Sequence, residues 1–155
     1  MLDNCQLGLF LSFLETLTRH RCFYRALVIH WPSSFLNRAW NRLWRSSKIQ
    51  IDKINKNDYI IIAGDYNARV GKFSIDGILG TNGKITGHKL KEFGSVNELK
   101  ITNTFFRHKE IHKMTWSARG YRSIIDYILT NKKLSPLVND ANILGDRMLL
   151  QTITY

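Results

Sequence analysis

The segment YIIIAGDYN, residues 59–67, carries the clearest structural signal in the chain. Residues 59–63 are apolar and rich in β-branched isoleucine on both alternating faces, which predicts a central strand buried from both sides. Gly64 ends this strand, and two polar side chains follow it, Asp65 and Asn67. Because residues i and i+2 at a strand end point to the same side, we predict that both project into the crevice where α/β sheets bind ligands.

A carboxylate beside an amide suits the hydrolysis of a phosphate ester. Asp65 would orient or deprotonate the attacking water, and Asn67 would donate hydrogen bonds to the phosphoryl oxygens. The alternative for this pair is an Asx turn that only closes the strand. A second carboxylate, Asp126, interrupts the apolar residues 124–129, where it needs partners to offset its desolvation. Its alternative is a solvent-facing position on an edge strand.

The rest of the chain predicts strands that alternate with a few helices, joined by short loops. Hydrophobic spacing and turn residues predict helices over 6–18, 34–44 and 86–98, and strands over 26–30, 99–104, 114–117 and 123–129. This order is typical of the α/β class and not of a helical bundle. The composition changes near residue 46, since the residues before it are unusually rich in Leu, Phe, Trp and Arg.

Composition and charge indicate one globular domain with an anionic partner. The chain has 155 residues, of which 44% are hydrophobic and 23% charged. Its 23 Lys and Arg against 12 Asp and Glu give a net charge of +11, which favours DNA or another polyanion as the partner. A basic protein without a nucleic-acid role is the alternative.

Cysteine usage and hydrophobicity bear on the compartment. Two cysteines, without the two-residue spacing of a zinc or redox site, predict neither a disulfide framework nor a thiolate metal centre. No apolar run reaches the roughly 18 residues that span a bilayer, so we expect no membrane association. The apolar residues 7–14 lack a preceding basic residue and make a poor signal peptide. We therefore expect an intracellular protein, with the nucleus as a candidate location.

Several motifs occur together in the order and spacing of one family. The segments IIIAGDYNARVG (60–71), GTNG (80–83), LKITNTFFRHKEIHKMTW (99–116) and IIDYIL (124–129) resemble the endonuclease/exonuclease/phosphatase family, whose fold is that of DNase I. Within residues 48–134 the chain is most similar to the copies encoded by non-LTR retrotransposons and to craniofacial development protein 2-like proteins. The resemblance implies a four-layer α/β sandwich and divalent-metal-dependent cleavage of phosphodiesters, usually with Mg²⁺.

The resemblance also implies roles for individual residues. The G-D-x-N pair activates water and contacts the scissile phosphate in the family, which assigns these roles to Asp65 and Asn67. The aspartate of the I-D-Y strand orients a catalytic histidine, and Asp126 occupies that position. With Asp146, described next, these residues make up the predicted catalytic set.

Two departures from the family pattern bear on activity. The family's Ser-Asp-His motif reads Gly145, Asp146 and Arg147 here, so Asp146 remains as the predicted metal ligand while arginine replaces the histidine. Arginine cannot exchange its proton near neutral pH, although Arg147 could hold a substrate phosphate electrostatically. Residues 1–46 do not resemble the family's first half, which carries a metal-binding glutamate. Glu15 lies in a segment that matches the motif of this glutamate only weakly. We therefore expect Mg²⁺ binding to be weak or absent.

We therefore divide the chain into an atypical basic, aromatic-rich segment, 1–46, and the C-terminal half of a nuclease domain, 47–155, a partial four-layer sandwich. The first hypothesis is a truncated DNA phosphodiesterase of retrotransposon origin with weak or no activity. The second is a non-catalytic remnant that binds nucleic acid, and the third is a marginally stable fragment. The residue losses favour the second and third, and a second chain that supplies the missing half is not excluded.

Overall fold

The computed structural model describes residues 24–30, 37–70, 74–75, 78–79, 85–144 and 147–152. The strands in these residues are β1 (Tyr24–His30), β2 (Tyr59–Asp65), β3 (Ser74–Ile75), β4 (Ile78–Leu79), β5 (Leu99–Ile101), β6 (Trp116–Ala118), β7 (Tyr121–Ser123), β8 (Asp126–Asn131), β9 (Val138–Leu144) and β10 (Arg147–Thr152). The α-helices are α1 (Asn37–Asp52), α2 (Ile85–Val96) and the short α3 (Glu110–Lys113).

A mixed four-stranded sheet is the centre of the fold. Its strand order is β1-β2-β8-β5, in which β2 runs parallel to β1 and antiparallel to β8, and β8 runs antiparallel to β5. The predicted strand over residues 59–63 is confirmed as β2, an inner strand of this sheet. Strands β9 and β10 form a separate antiparallel pair.

The two faces of the central sheet pack against different layers. Ile60 and Ile62 of β2 belong to a core cluster that the helices α1 and α2 cover. Ala63 of β2 and Ile128 of β8 belong to a second cluster, with Val138, Ala141 and Ile143 of β9. The described residues thus form a helix layer, the central sheet and a second sheet, which is an α/β architecture as predicted.

Helix α1 extends further than the sequence analysis predicts. Its buried residues Leu43, Ser47 and Ile51 follow one another at four-residue spacing, so the face that contacts the sheet continues beyond residue 44. Trp44 packs edge-on against Phe93 of α2, with 5.2 Å between the ring centroids. The predicted division after residue 46 falls within this helix.

Two predicted strands are shorter than expected, because side-chain hydrogen bonds interrupt them. The strand predicted over 99–104 ends at Ile101, and residues 102–104 form a 3₁₀ turn in which the Thr104 hydroxyl donates to the Ile101 carbonyl oxygen (2.6 Å). The strand predicted over 123–129 is divided between β7 and β8. Between them, the Thr115 hydroxyl oxygen accepts a hydrogen bond from the Ile125 N–H (3.0 Å).

The remaining predicted elements have different outcomes. The predicted strand over 26–30 is confirmed as β1, and the helix predicted over 86–98 corresponds to α2. Strands β9 and β10 are not anticipated from the sequence. The helix predicted over 6–18 lies outside the described residues.

Candidate active site

The ends of three strands meet at one edge of the central sheet. The parallel strands β1 and β2 both end there, at His30 and Asp65, and the antiparallel strand β8 begins there, at Asp126. The register pairs His30 with Asp65 and Asp65 with Asp126. The sequence predicts that Asp126 interrupts a strand. In the structure it is instead the first residue of β8.

The backbone hydrogen bonds of Asp126 show how the two carboxylates face each other. The Asp126 N–H donates to the Thr115 hydroxyl oxygen (3.3 Å), and the Asn103 amide donates to the Asp126 carbonyl oxygen (3.3 Å). Because both groups bond away from β2, Asp65 and Asp126 form a non-hydrogen-bonded pair, in which opposed side chains approach most closely. Their Cβ atoms are then about 4.5–5.5 Å apart on the same sheet face.

This arrangement places two carboxyl side chains side by side. Strand alternation puts both on the face that carries Ala63 and Ile128, towards the second sheet. Strands β1 and β2 both end at this edge, and α/β sheets bind ligands outside the carboxyl ends of their strands, which makes the pair a candidate functional site.

Asn67 lies beyond the strand and has a left-handed backbone conformation, with φ of 44°. Its N–H donates to a carboxylate oxygen of Asp65 (2.8 Å), so the G-D-x-N segment forms an Asx turn. The expectation that Asn67 continues the strand two residues after Asp65 is therefore wrong. The reason is that β2 ends at Asp65, where this local hydrogen bond replaces the extended conformation and holds the carboxylate in place.

Residues 66–70, which follow β2, are attached to the start of β8. The Tyr66 N–H donates to the Ile125 carbonyl oxygen (2.9 Å), and the Val70 N–H donates to the Tyr127 hydroxyl (3.1 Å). Burial raises the pKa of Tyr127 to about 12, so its hydroxyl stays protonated near neutral pH. That hydroxyl lies 2.9 Å from the Ile124 carbonyl oxygen, its closest acceptor.

The predicted residues near the C-terminus are only partly described. Asp146 lies outside the described residues, as does Glu15. Arg147 begins β10, and its backbone pairs with Leu144 of β9. The structure therefore brings Asp65, Asn67 and Asp126 to one edge, while the roles assigned to Asp146 and Arg147 stay predictions.

A hairpin next to the site carries exposed aromatic and basic side chains. It consists of β6 and β7, directly after Thr115, and its Tyr121 is 74% exposed. Arg119 and Arg122 are exposed on the same hairpin. The Arg69 guanidinium, from the segment that follows the motif, lies 5.4 Å from the centroid of the Trp116 ring.

Four features at this edge are not among the residues predicted from the sequence: His30, Asn103, Thr115 and the hairpin. The alternation of aromatic residues and arginines in WSARGYR, residues 116–122, is a signal for the hairpin. Among the described residues, no three His, Cys, Asp or Glu side chains are grouped so as to hold a metal. In the same part of the chain, no helix is long and apolar enough to cross a membrane.

Comparison with protein families assigns the class. The model of the Endonuclease/Exonuclease/phosphatase family matches residues 3–148, which is most of the chain. The chain therefore belongs to the endonuclease/exonuclease/phosphatase family, and the family resemblance predicted from its motifs is confirmed. The match includes residues on both sides of position 46.

Two curated relatives match part of the chain, and both are craniofacial development protein 2. The Bos taurus protein is 38% identical over 92 residues, covering 56% of this chain and 16% of the relative. The Tragulus javanicus protein is 35% identical over 92 residues, with the same two coverages of 56% and 16%. The chain thus spans only about a sixth of the length of these relatives.

Two solved structures are similar in fold. One is the endonuclease domain of TRAS1, a telomere-specific non-LTR retrotransposon, with a TM-score of 0.53 and 14% identity over 85% of this chain and 57% of that domain. The other is an endonuclease/exonuclease/phosphatase family protein from Leptotrichia buccalis, with a TM-score of 0.50 and 13% identity over 87% of this chain and 52% of that protein. These likenesses confirm the α/β, DNase I-like fold class.

Proposed function

We propose that this chain is a divalent-metal-dependent phosphodiesterase domain that nicks DNA slowly. The observation that carries the proposal is the close opposition of Asp65 and Asp126 at the sheet edge, next to the amide of Asn67. Together with the amide, the two carboxylates provide the proton acceptor and the hydrogen-bond donor that hydrolysis of a phosphate ester requires.

Each residue of the set has a proposed role. Asp65, held by the Asn67 N–H, accepts a proton from the attacking water, and the Asn67 side chain donates to a phosphoryl oxygen. Asp126 orients the cationic group at position 147. Arg147 binds the phosphate through its charge, but it keeps its proton and cannot protonate the leaving oxygen, so the reaction is slow.

The donor atoms at this edge are compatible with Mg²⁺. Magnesium in phosphoryl-transfer sites is commonly held by one or two carboxylates together with water and the substrate phosphate. Asp65 and Asp126 are two such carboxylates, and we propose Asp146 as a further ligand from its place in the family motif. When bound, the ion supplies positive charge that stabilises the phosphoryl oxygens during the reaction.

The basic surface around the edge supports DNA as the substrate. The hairpin residues Tyr121 and Arg122 are exposed beside the site. Arg107 and Lys109 are exposed on either side of His108, whose ring nitrogen lies 2.9 Å from a carboxylate oxygen of Asp140. Exposed cationic side chains can contact phosphates, and an exposed aromatic ring can stack on a base or a sugar.

Nicking of supercoiled plasmid DNA tests the proposal. We expect the purified chain to nick the plasmid in Mg²⁺ and to lose this activity with EDTA or in Asp65→Ala. Asp52→Asn is the matched control, because Asp52 is an exposed carboxylate that pairs with Lys48 (2.6 Å) on helix α1. Nicking that persists in Asp65→Ala would show that a contaminant, and not this site, cuts the DNA.

The replacement of histidine by Arg147 favours a second candidate function, DNA binding without cleavage. In that case the chain binds DNA with an affinity that falls steeply with salt, and neither Mg²⁺ nor Asp65 is required. Arg147→His distinguishes the candidates further, since nicking only in this variant would place the defect at position 147. A nuclear, intracellular location is part of either proposal and can be tested by microscopy of the tagged chain.

A further inference from the structure

The backbone of Asp126 is held by a side chain to which the sequence motifs assign no role. Asn103, in the 3₁₀ turn after β5, donates from its amide nitrogen to the Asp126 carbonyl oxygen (3.3 Å). Its amide oxygen accepts a hydrogen bond from the Ile128 N–H (3.0 Å). One amide group therefore connects two residues of β8 on the side facing away from β2.

The need for this contact follows from the length of β5. Strand β5 pairs with β8 only from Leu129 to Asn131, because it ends at Ile101 and the chain then turns. On that side, the described residues offer no further strand to Asp126 and Ile128. The Asn103 amide replaces the missing strand, since its carbonyl and amino groups take the place of one peptide group of the ladder.

We propose that Asn103 is a positioning residue that keeps Asp126 opposed to Asp65, an inference that rests on the proposed phosphodiesterase function. Asp126 is the first residue of β8, and on the side facing away from β2 no strand of the described residues holds its backbone. Asn103 bonds its carbonyl oxygen and Thr115 bonds its N–H, and together they fix its position relative to Asp65. Thr115 belongs to the loop before the hairpin, whereas Asn103 connects the site to the core through β5.

Asn103→Leu tests the proposal, because leucine has a similar size and neither donor nor acceptor groups. We expect the rate of nicking at saturating DNA to fall about 10- to 100-fold, as displacements of about 1 Å do in active sites. The DNA concentration for half-maximal rate should not change, since Asn103 does not contact DNA in this proposal. Asn103→Asp keeps only the acceptor. It should keep the hydrogen bond from the Ile128 N–H, so that this amide still exchanges slowly, and lose the one to the Asp126 carbonyl oxygen.

Thr102→Val is the matched control. Thr102 lies in the same turn, and its hydroxyl is 2.6 Å from the hydroxyl of Thr130, which lies further along β8. This variant breaks a bond between the same two elements away from the site, so it should lower the melting temperature and leave the nicking rate unchanged. A rate loss in Thr102→Val equal to that in Asn103→Leu would overturn the positioning role.

Hydrogen exchange of the Ile128 amide gives a readout that does not depend on activity. Its exchange should be at least about 10-fold faster in Asn103→Leu than in the native chain or in Thr102→Val, because only the first variant removes its acceptor. If the native chain does not nick DNA, the proposed function fails, but the exchange data still test whether Asn103 holds the backbone of β8. Equal exchange in all three proteins would overturn this positioning role.

Discussion

At the residue scale, Gly64 occupies the closest approach between β1 and β2. Its φ is 154°, and a Cβ atom added to it would lie 1.7 Å from the Ile29 carbonyl oxygen. That distance is far below any van der Waals contact, and the obstructing atom belongs to a backbone that cannot move alone. The glycine before Asp65 is therefore required for the pairing that brings β1 to the site.

We predict that Gly64→Ala lowers the free energy of unfolding by about 3 kcal/mol or more, because the methyl group forces β1 and β2 apart. Urea denaturation followed by circular dichroism measures the change. Gly120→Ala is the control, since Gly120 has φ of 77° with nothing within 4 Å of an added Cβ. Only its backbone conformation is disfavoured, at a cost of about 1 kcal/mol. Equal losses in the two variants would contradict the steric explanation.

At the scale of elements, two contacts connect the hairpin β6–β7 and the loop before it to the site. One is made by the segment after the G-D-x-N motif, and the other by the start of β8. Arg69 lies over the Trp116 ring (5.4 Å), and Thr115 binds the N–H groups of Ile125 and Asp126, where β8 begins. These contacts hold the hairpin beside the sheet edge that carries Asp65 and Asp126.

We expect Arg122→Ala to weaken DNA binding and to reduce the slope of log affinity against log salt by about 1, as the loss of one phosphate contact does. Fluorescence anisotropy with a labelled duplex at several salt concentrations measures both quantities. Lys132→Ala is the control, because Lys132 follows the far end of β8 and pairs with Glu98 (2.9 Å). If Lys132→Ala has the same effect, the binding surface is not at the hairpin.

At the scale of the whole molecule, two buried tyrosines in one core cluster make stability depend on pH. Burial raises the pKa of both Tyr66 and Tyr127 above the ordinary value of 10.0, with that of Tyr127 at about 12. In the unfolded chain both ionise near pH 10. Their contribution to stability is therefore complete below pH 10 and is lost as the pH rises towards the folded pKa.

The free energy of unfolding should accordingly fall above pH 10, by up to about 1.4 kcal/mol per pH unit for each of these tyrosines. Urea denaturation at about pH 9 and about pH 11 checks this expectation. Tyr121→Phe should leave the difference unchanged, because Tyr121 is 74% exposed. Equal stability at the two pH values would show that the hydroxyl groups are accessible to solvent.

Local sequence patterns were sufficient for a large part of the fold. The apolar residues 59–63 predicted an inner strand, and the spacing of Leu90 and Phe93 predicted helix α2. Strands β9 and β10 were missed because residues 138–152 mix polar and apolar side chains without strict alternation. The extension of α1 was missed because its inward position at Ser47 is polar.

The sequence determined the family and the α/β class, and it singled out Asp65 and Asp126 as candidate site residues. These depend on residue types and on spacing along the chain. Tertiary structure decided that Asp65 and Asp126, 61 positions apart in the sequence, are opposed in one register, with His30 beside them. It also decided that Asn103 holds β8, through hydrogen bonds to residues that lie far from it in the sequence. Strand register and side-chain hydrogen bonds arise from contacts between distant segments, and local patterns carry little information about such contacts.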